Sequence, residues 1–159
     1  MKSMHGMAAA PVAAPPQQCM DLLQAVDAYP AWHPDLVRSV TVLERDDQGR
    51  PTQARATLRV AVGPFTKEVV LVLAVHRDGP RTVKLTRLRN EPADEERFEA
   101  RWRVHEGGQT RIELELEADF EVPRLIRVGA IGDAMARDFV TAASAAIARP
   151  RGDSTPPRR

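Results

Sequence analysis

The segment from Val26 to Leu36, VDAYPAWHPDL, holds the side chains best suited to chemistry in this sequence. His33 lies between Trp32 and Pro34, and the near-neutral pKa of an imidazole suits proton transfer. Asp35 is the nearest carboxylate that could orient this imidazole, but no spacing fixes the pair, and Asp35 could equally be a turn residue. The simpler interpretation of His33 is a histidine on the surface or at the mouth of a cavity.

Arg87 and Tyr29 are the other weak candidates for catalysis. Arg87 shares parity with Val83 and Leu85 in a predicted strand, so its guanidinium could point inward and hold a carbonyl or carboxylate oxygen. The strand could instead end there and leave Arg87 in solvent, because charged residues are rarely buried without a partner. Tyr29 could line an entrance or simply pack against the first helix. His33, Arg87 and Tyr29 therefore remain weak candidates, and the sequence predicts no catalytic residue.

Composition excludes several classes of function. The four histidines, at positions 5, 33, 76 and 105, have no spacing typical of metal ligands, and no glycine-rich phosphate loop is present. We therefore predict neither a metal nor a cofactor. The net charge of +1 gives no long-range field for nucleic acid, and no 18-residue apolar run exists that could insert stably into a membrane. A single cysteine, Cys19, fits a reducing compartment, so we expect a cytoplasmic protein.

Strict alternation of apolar and polar residues predicts most of the elements that must position these side chains. It is clearest in RFEARWRV (97–104) and TRIELELEADFEV (110–122), and four more strands are predicted between residues 37 and 89, separated by turn sequences such as DDQGRP and RDGP. A short strand around 7–14 and a helix that Pro30 stops precede them. Spacing by three and four from Val128 to about Ala148 predicts a long amphipathic helix, the only element expected to cover the sheet.

The length of 159 residues predicts one domain. We assign residues 1–6 to a flexible leader, 7–149 to a single ligand-binding domain and 150–159 to a disordered tail that lacks apolar residues. Prolines and glutamines interrupt the alanine-rich start before an apolar segment forms, which disfavours a signal peptide.

Four short motifs occur in a recognisable order: APP (14–16), YPAWHP (29–34), VLER (42–45) and QGRP (48–51). From about residue 7 to 148 the chain resembles the START-like (SRPBCC) superfamily, and within it the branch of polyketide cyclase/dehydrase-like and coenzyme Q-binding proteins. The resemblance implies an α+β helix-grip fold, in which a seven-stranded curved antiparallel sheet wraps around a long C-terminal helix and leaves a hydrophobic tunnel.

A ligand cavity is expected between this sheet and the helix, because the helix is rich in alanine and the chain has only seven aromatic residues. The alternative is a solidly packed core, which is the usual state of protein interiors. The residues predicted to line the cavity are Tyr29, Trp32, His33, Leu58, Val60, Val69, Leu71, Leu73, Val83, Leu85, Arg87, Trp102, Leu114, Leu116, Ile131, Met135 and Phe139.

Three functions are compatible with this sequence. The first is binding and transport or sequestration of a quinone, lipid or polyketide intermediate, favoured because the strand after Gly63 and Pro64 offers no acid or base in the middle of its inner face. The resemblance also implies a polyketide cyclase, dehydratase or aromatase that would use His33, Arg87 and Tyr29 on a poly-β-keto substrate. It further implies a ribosome-associating interaction protein, against which the near-neutral charge argues.

An outward-facing apolar strip offers a candidate homodimer contact. Val70, Val72 and Ala74 alternate with the inner residues of their predicted strand and lie on an otherwise charged face. Coverage by neighbouring loops would explain the same strip.

Overall fold

The computed structural model describes residues 1–62, 64–121 and 130–149. Its strands are β1 (Lys2–Val12), β2 (Val37–Arg45), β3 (Pro51–Val62), β4 (Phe65–Arg77), β5 (Thr82–Arg87), β6 (Arg97–His105) and β7 (Thr110–Phe120). The helices are α1 (Pro16–Gln24), α2 (Tyr29–Trp32) and α3 (Ile131–Ala148), with a 3₁₀ turn at Val26–Ala28 between α1 and α2. None of these helices is long and apolar enough to cross a bilayer.

All seven strands form one antiparallel sheet in the order β1-β7-β6-β5-β4-β3-β2. Register shifts interrupt the β2–β3 pairing next to Val37, Val42 and Arg45, and such irregularities bend and twist a strand pair. The inner face carries α3, which packs mainly on β1 and β7. The predicted α+β helix-grip fold, with a seven-stranded antiparallel sheet and a C-terminal helix, is confirmed.

The period-2 pattern of β7 explains how one face of the sheet becomes core. Ile112, Leu114 and Leu116 are completely buried, whereas Glu113 and Glu115 between them lie on the outer face. Ion pairs join neighbouring strands across the outer face, for example Arg103 and Glu113 at 3.0 Å. Alternation therefore assigns each strand residue to the core or to solvent, as a half-buried sheet requires.

Two glycines let α3 approach β1 closely. A side-chain carbon on Gly6 would collide with the backbone of Gly132, and one on Gly132 would collide with the carbonyl group of His5. The amide of Met7 also donates to Oδ1 of Asp133 at 3.0 Å. The first turn of α3 is thus fixed against the edge of the sheet, backbone to backbone.

Three predictions about this framework are wrong. Residues Lys2 to Gly6 are not a flexible leader, because they pair with β7 from Phe120 to Leu116 and bury Met4. Pro30 does not stop the first helix, which ends at Gln24; it lies in the first turn of α2, where a missing amide is tolerated.

The third wrong prediction is that α3 alone covers the sheet. Cys19, Met20 and Leu23 of α1 are fully buried, and α1 contacts both β5 and β6. The predicted disordered tail at 150–159, and the predicted element ends at Val122 and Val128, lie outside the described residues.

Candidate ligand-binding site

A cavity of about 290 Å³ lies between the inner face of the sheet and the first turns of α3. It occupies the end of the sheet where β3 and β4 approach their hairpin, next to the beginning of β6 and the end of β7. Its apolar lining consists of Met4, Leu58, Val60, Val69, Leu71, Phe98, Ala118, Phe120 and Met135. Val70, predicted to face outward, is 58% exposed and borders the opening. The interior between sheet and helix is therefore hollow at this end.

The mouth of the cavity is a charged rim. Lys67, Glu68, Glu96, Arg97 and Glu121 line it, and all five are exposed. Both signs of charge are present, so the rim does not favour a strongly charged ligand of either sign. An apolar interior with a polar rim is the usual build of a site for a hydrophobic small molecule.

Beyond the cavity, towards α1, lies a second hollow of only about 30 Å³, here called the inner hollow. Leu58, Phe98 and Met135 line both spaces, so the inner hollow continues the cavity inward. Its volume is about that of one water molecule in the liquid. The inner half of the space is therefore almost filled by side chains.

A cluster of five aromatic rings, here called the aromatic cluster, fills that half: Tyr29, Trp32, His33, Trp102 and Phe139. Phe139 of α3 is central, with ring centroids 5.6 Å from Tyr29, 5.6 Å from Trp32, 4.9 Å from His33 and 5.4 Å from Trp102. Tilted and edge-on arrangements at these distances are the favourable ones for aromatic pairs. The rings of α2, β6 and α3 thus close the inner end of the cavity.

Tyr29 takes part in this closure and is not available for proton transfer. Its side chain is buried, and its hydroxyl donates to the carbonyl oxygen of Leu23. Burial raises the pKa of Tyr29 far above its ordinary value of 10.0, because the phenolate would be desolvated.

His33 is buried in the core, so the expectation of a surface or mouth-lining histidine is wrong. Its amide donates to the carbonyl of Tyr29 at 2.8 Å at the end of α2, and its ring centroid lies 4.9 Å from that of Phe139. Burial lowers the pKa of His33 below 6.5, and the negative charges of Asp138 and Asp35 act in the opposite direction. The imidazole packs against the ring of Phe139.

Arg87 points inward, as its parity predicts, and lines the cavity. Its guanidinium is nevertheless engaged: one amino group lies 2.6 Å from Oδ2 of Asp94, and the other donates to the carbonyl oxygen of Glu96 at 2.7 Å. The hydrogen bond from Arg87 is the main cause that lowers the pKa of Asp94. Arg87 is therefore neither a free ligand anchor nor a solvent-exposed strand end, because the next connection supplies its partner.

The structure divides the predicted cavity residues into three groups. Leu58, Val60, Val69, Leu71, Arg87 and Met135 line the cavity, while Tyr29, Leu73, Leu85, Leu116 and Phe139 line the inner hollow, to which Leu58 and Met135 also belong. Trp32, His33, Val83, Trp102, Leu114 and Ile131 line neither space.

Val83, Trp102 and Leu114 fall outside both spaces because they are register neighbours across β5, β6 and β7 at the end of the sheet that α1 covers. All three are completely buried. An inward parity therefore does not distinguish core from cavity.

Several lining residues were missed although a signal for them existed. Phe98, Ala118 and Phe120 share the inward parity of Trp102 and Leu116, so alternation alone would have placed them on the inner face. Met4 was missed because residues 1–6 were assigned to a leader. Among the rim residues, Lys67 shares the inward parity of Val69, whereas Glu96 and Glu121 carry no such signal because they lie outside the strands.

His5, Glu115 and Glu117 form a group of potential metal ligands on the outer face, with ligand atoms within 4.8 Å of one another. Glu115 already accepts from His5 at 3.1 Å and lies 3.3 Å from Arg103 and 3.5 Å from Arg101. Cationic partners that are already in place make this group part of the outer-face ion-pair network.

Comparison with known proteins identifies the family. The model of the family described as polyketide cyclase/dehydrase and lipid transport matches residues 12–144. The chain belongs to this family. No curated protein matches the sequence.

Solved structures of the START-like fold superpose on nearly the whole chain. A START superfamily protein from Mycobacterium smegmatis has a TM-score of 0.70 at 19% identity and covers 90% of this chain and 96% of its own. The protein TTHA0849 from Thermus thermophilus has a TM-score of 0.63 at 14% identity, with 92% and 97% covered. The Zhui aromatase/cyclase from Streptomyces sp. R1128 has a TM-score of 0.59 at 16% identity, with 92% and 94% covered. At these identities the likeness extends to the fold alone.

Proposed function

We propose that this family member binds a hydrophobic small molecule in the cavity and transports or sequesters it without transforming it. The proposed ligand is a quinone, a lipid or a polyketide intermediate, and the proposed compartment is the cytoplasm. The observation that carries the proposal is the apolar cavity of about 290 Å³ between the sheet and α3. The match to a family that includes lipid transport supports it.

The size of the cavity limits what is buried. At about 30 Å³ per methylene- or water-sized group, 290 Å³ holds about ten such groups. A ligand that loses about 300 Å² of apolar surface gains roughly 7 kcal/mol, from which the entropy of association is subtracted. This gain needs no specific polar contact in the interior, but it is below the roughly 8 kcal/mol of micromolar affinity even before the entropy of association is subtracted.

The proposal of a non-catalytic protein is supported by the state of the three acid–base candidates. The Tyr29 hydroxyl is bound to a backbone carbonyl, His33 packs against Phe139 away from both spaces, and Arg87 is paired with Asp94. A cyclase or dehydratase needs a proton donor or acceptor within hydrogen-bond reach of the substrate. None of these three side chains offers a free group to the cavity.

A pair of tryptophan substitutions on β4 tests the binding site. Val69 faces the cavity, and Val72 on the same strand belongs to neither cavity lining. We expect Val69→Trp to weaken binding of the neutral fluorophore N-phenyl-1-naphthylamine at least about tenfold by occupying the space, and Val72→Trp to leave it unchanged. Fluorescence titration of the full chain measures both. Equal affinities of Val69→Trp and the unsubstituted protein would refute this site.

The cyclase alternative has its own assay. Incubation with a poly-β-keto thioester, followed by mass spectrometry of the products, is expected to show no cyclisation or dehydration beyond the protein-free rate. Turnover that His33→Ala or Arg87→Ala abolishes while the fold persists would replace the carrier proposal by an enzymatic one.

A further inference from the structure

The connection between β5 and β6, residues 88–96, borders the cavity mouth through Glu96. Arg87 is the last residue of β5 and Arg97 the first of β6, and both line the cavity together with Glu96 and Phe98. The position of this connection therefore sets the width of the opening on that side.

The carboxylate of Asp94 binds the connection to the end of β5. Besides Arg87, Asp94 accepts hydrogen bonds from the backbone amides of Glu96, at 3.0 Å, and Asn90, at 3.4 Å. Arg87 in turn reaches the carbonyl of Glu96 at 2.7 Å. The Arg87 and Asp94 side chains are only 10% and 12% exposed. The pair thus joins both ends of the connection to the strand that borders the cavity.

The location of this pair separates it from the ion pairs on the outer face of the sheet. Those on the outer face, such as Arg103–Glu113, join neighbouring strands that backbone hydrogen bonds already hold. The amide of Leu88 still donates to the carbonyl of Val72 on β4, and the Arg87–Asp94 pair holds the residues beyond it, which belong to no strand. It also places a charge beside an apolar cavity. Apolar side chains in place of a buried ion pair are often at least as stabilising, so stability alone does not account for this pair.

We propose that Arg87 and Asp94 are positioning residues that hold the 88–96 connection at the cavity mouth and so control the rate at which ligand enters and leaves. This inference rests on the proposed function, since it concerns exchange of the bound molecule. Neither residue needs to contact the ligand. Loosening the connection widens the mouth for entry and exit alike, and the apolar interior that supplies the affinity stays unchanged.

The test compares Asp94→Asn with Glu113→Gln, each of which neutralises one carboxylate of an arginine ion pair. Stopped-flow mixing with N-phenyl-1-naphthylamine gives the association and dissociation rates for the full chain. We expect both rates to rise about tenfold in Asp94→Asn while Kd changes less than about threefold, and neither to change in Glu113→Gln. Arg87→Lys keeps the charge but loses the two-pronged geometry, so its rates are expected to lie in between.

Hydrogen exchange of the same variants reports the connection itself, and circular dichroism reports the fold. Faster exchange of the Asn90 and Glu96 amides in folded Asp94→Asn, together with faster probe exchange, supports the inference. Unchanged probe rates in a folded Asp94→Asn overturn it and leave the proposed function intact. If Asp94→Asn does not fold, unchanged rates in Arg87→Lys overturn it in the same way. Failure of the unsubstituted protein to bind the probe, and to bind quinone or acyl ligands in titrations, overturns the proposed function and this inference with it.

Discussion

The two ends of the space between the sheet and α3 are built from the same kind of inward-facing apolar residues, yet one is filled and the other hollow. At the inner end the rings of Tyr29, Trp32, Trp102 and Phe139 converge from three elements and leave about 30 Å³. At the mouth Phe98 and Phe120 line the space without joining a ring cluster among the described residues, and about 290 Å³ stays open. The convergence of aromatic rings from several elements, and not inward parity, separates the filled end from the hollow one in this fold.

The largest effect is expected from removing the central ring of the inner end. Phe139→Ala deletes a buried ring that contacts four other rings, and such truncations cost about 3–5 kcal/mol. Urea denaturation followed by circular dichroism measures the loss. Phe120→Ala, at the half-buried mouth, is the matched control with an expected loss of less than about half that amount, because its ring already borders a hollow. Equal losses for the two variants would mean that the ends are packed alike.

A second pair of substitutions probes the same contrast by adding volume. Ala100 lines the inner hollow and Ala118 lines the cavity, and both are buried. Ala100→Leu is expected to destabilise the protein by about 1–3 kcal/mol through overpacking. Ala118→Leu has room for its extra carbons and is expected to be neutral or slightly stabilising. Thermal and urea unfolding measure the stability of both variants. Comparable destabilisation by the two leucines would contradict an open mouth.

The smallest expected effect is a pH dependence of the free energy of unfolding that His33, at the inner end, contributes. Because burial lowers the pKa of His33 below 6.5, the unfolded chain binds more protons than the folded one as the pH falls through this range. The stability that the neutral imidazole contributes is present above the unfolded pKa and is lost as the pH falls towards the folded one. We expect the urea midpoint of His33→Phe to change less between about pH 7 and 5 than the midpoint of the unsubstituted protein does.

Asp94 affects the pH dependence of stability in a separate, more acidic range. Its pKa in the folded protein is below 3.8, so its stabilising effect is lost only as the pH falls through that lower, folded-state pKa. A slope between pH 7 and 5 that His33→Phe leaves unchanged would assign the acid sensitivity to other groups.

The fold could be predicted well because its elements carry local signals. Period-2 alternation located β3 to β7 and their inner faces, and the three-to-four spacing located α3. β1 was placed too late because Gly6 and its small neighbours do not alternate clearly; what Gly6 does is admit the backbone of Gly132, a contact that only the assembled fold reveals. Pro30 was misread because proline ends one helix and begins another with equal ease.

The candidate site was less predictable because it depends on distances between elements. Parity gave Trp102 and Phe98 the same inward direction on β6, but Trp102 meets Phe139 while Phe98 borders open space. The inward direction of Arg87 was predictable, whereas its partner Asp94 comes from a turn whose conformation no periodic pattern describes. Side-chain direction is thus a local property of the sequence, and packing is not.

The most direct test of an open mouth and a filled inner end is a crystal structure of the protein soaked with 1-bromooctane, a neutral chain that carries an anomalous scatterer. We predict an anomalous bromine peak inside the cavity, bordered by Val60, Val69 and Ala118, with the rings around Phe139 undisturbed. A cavity without bromine and closed by side chains, or bromine seated among the displaced rings of the aromatic cluster, would contradict this account.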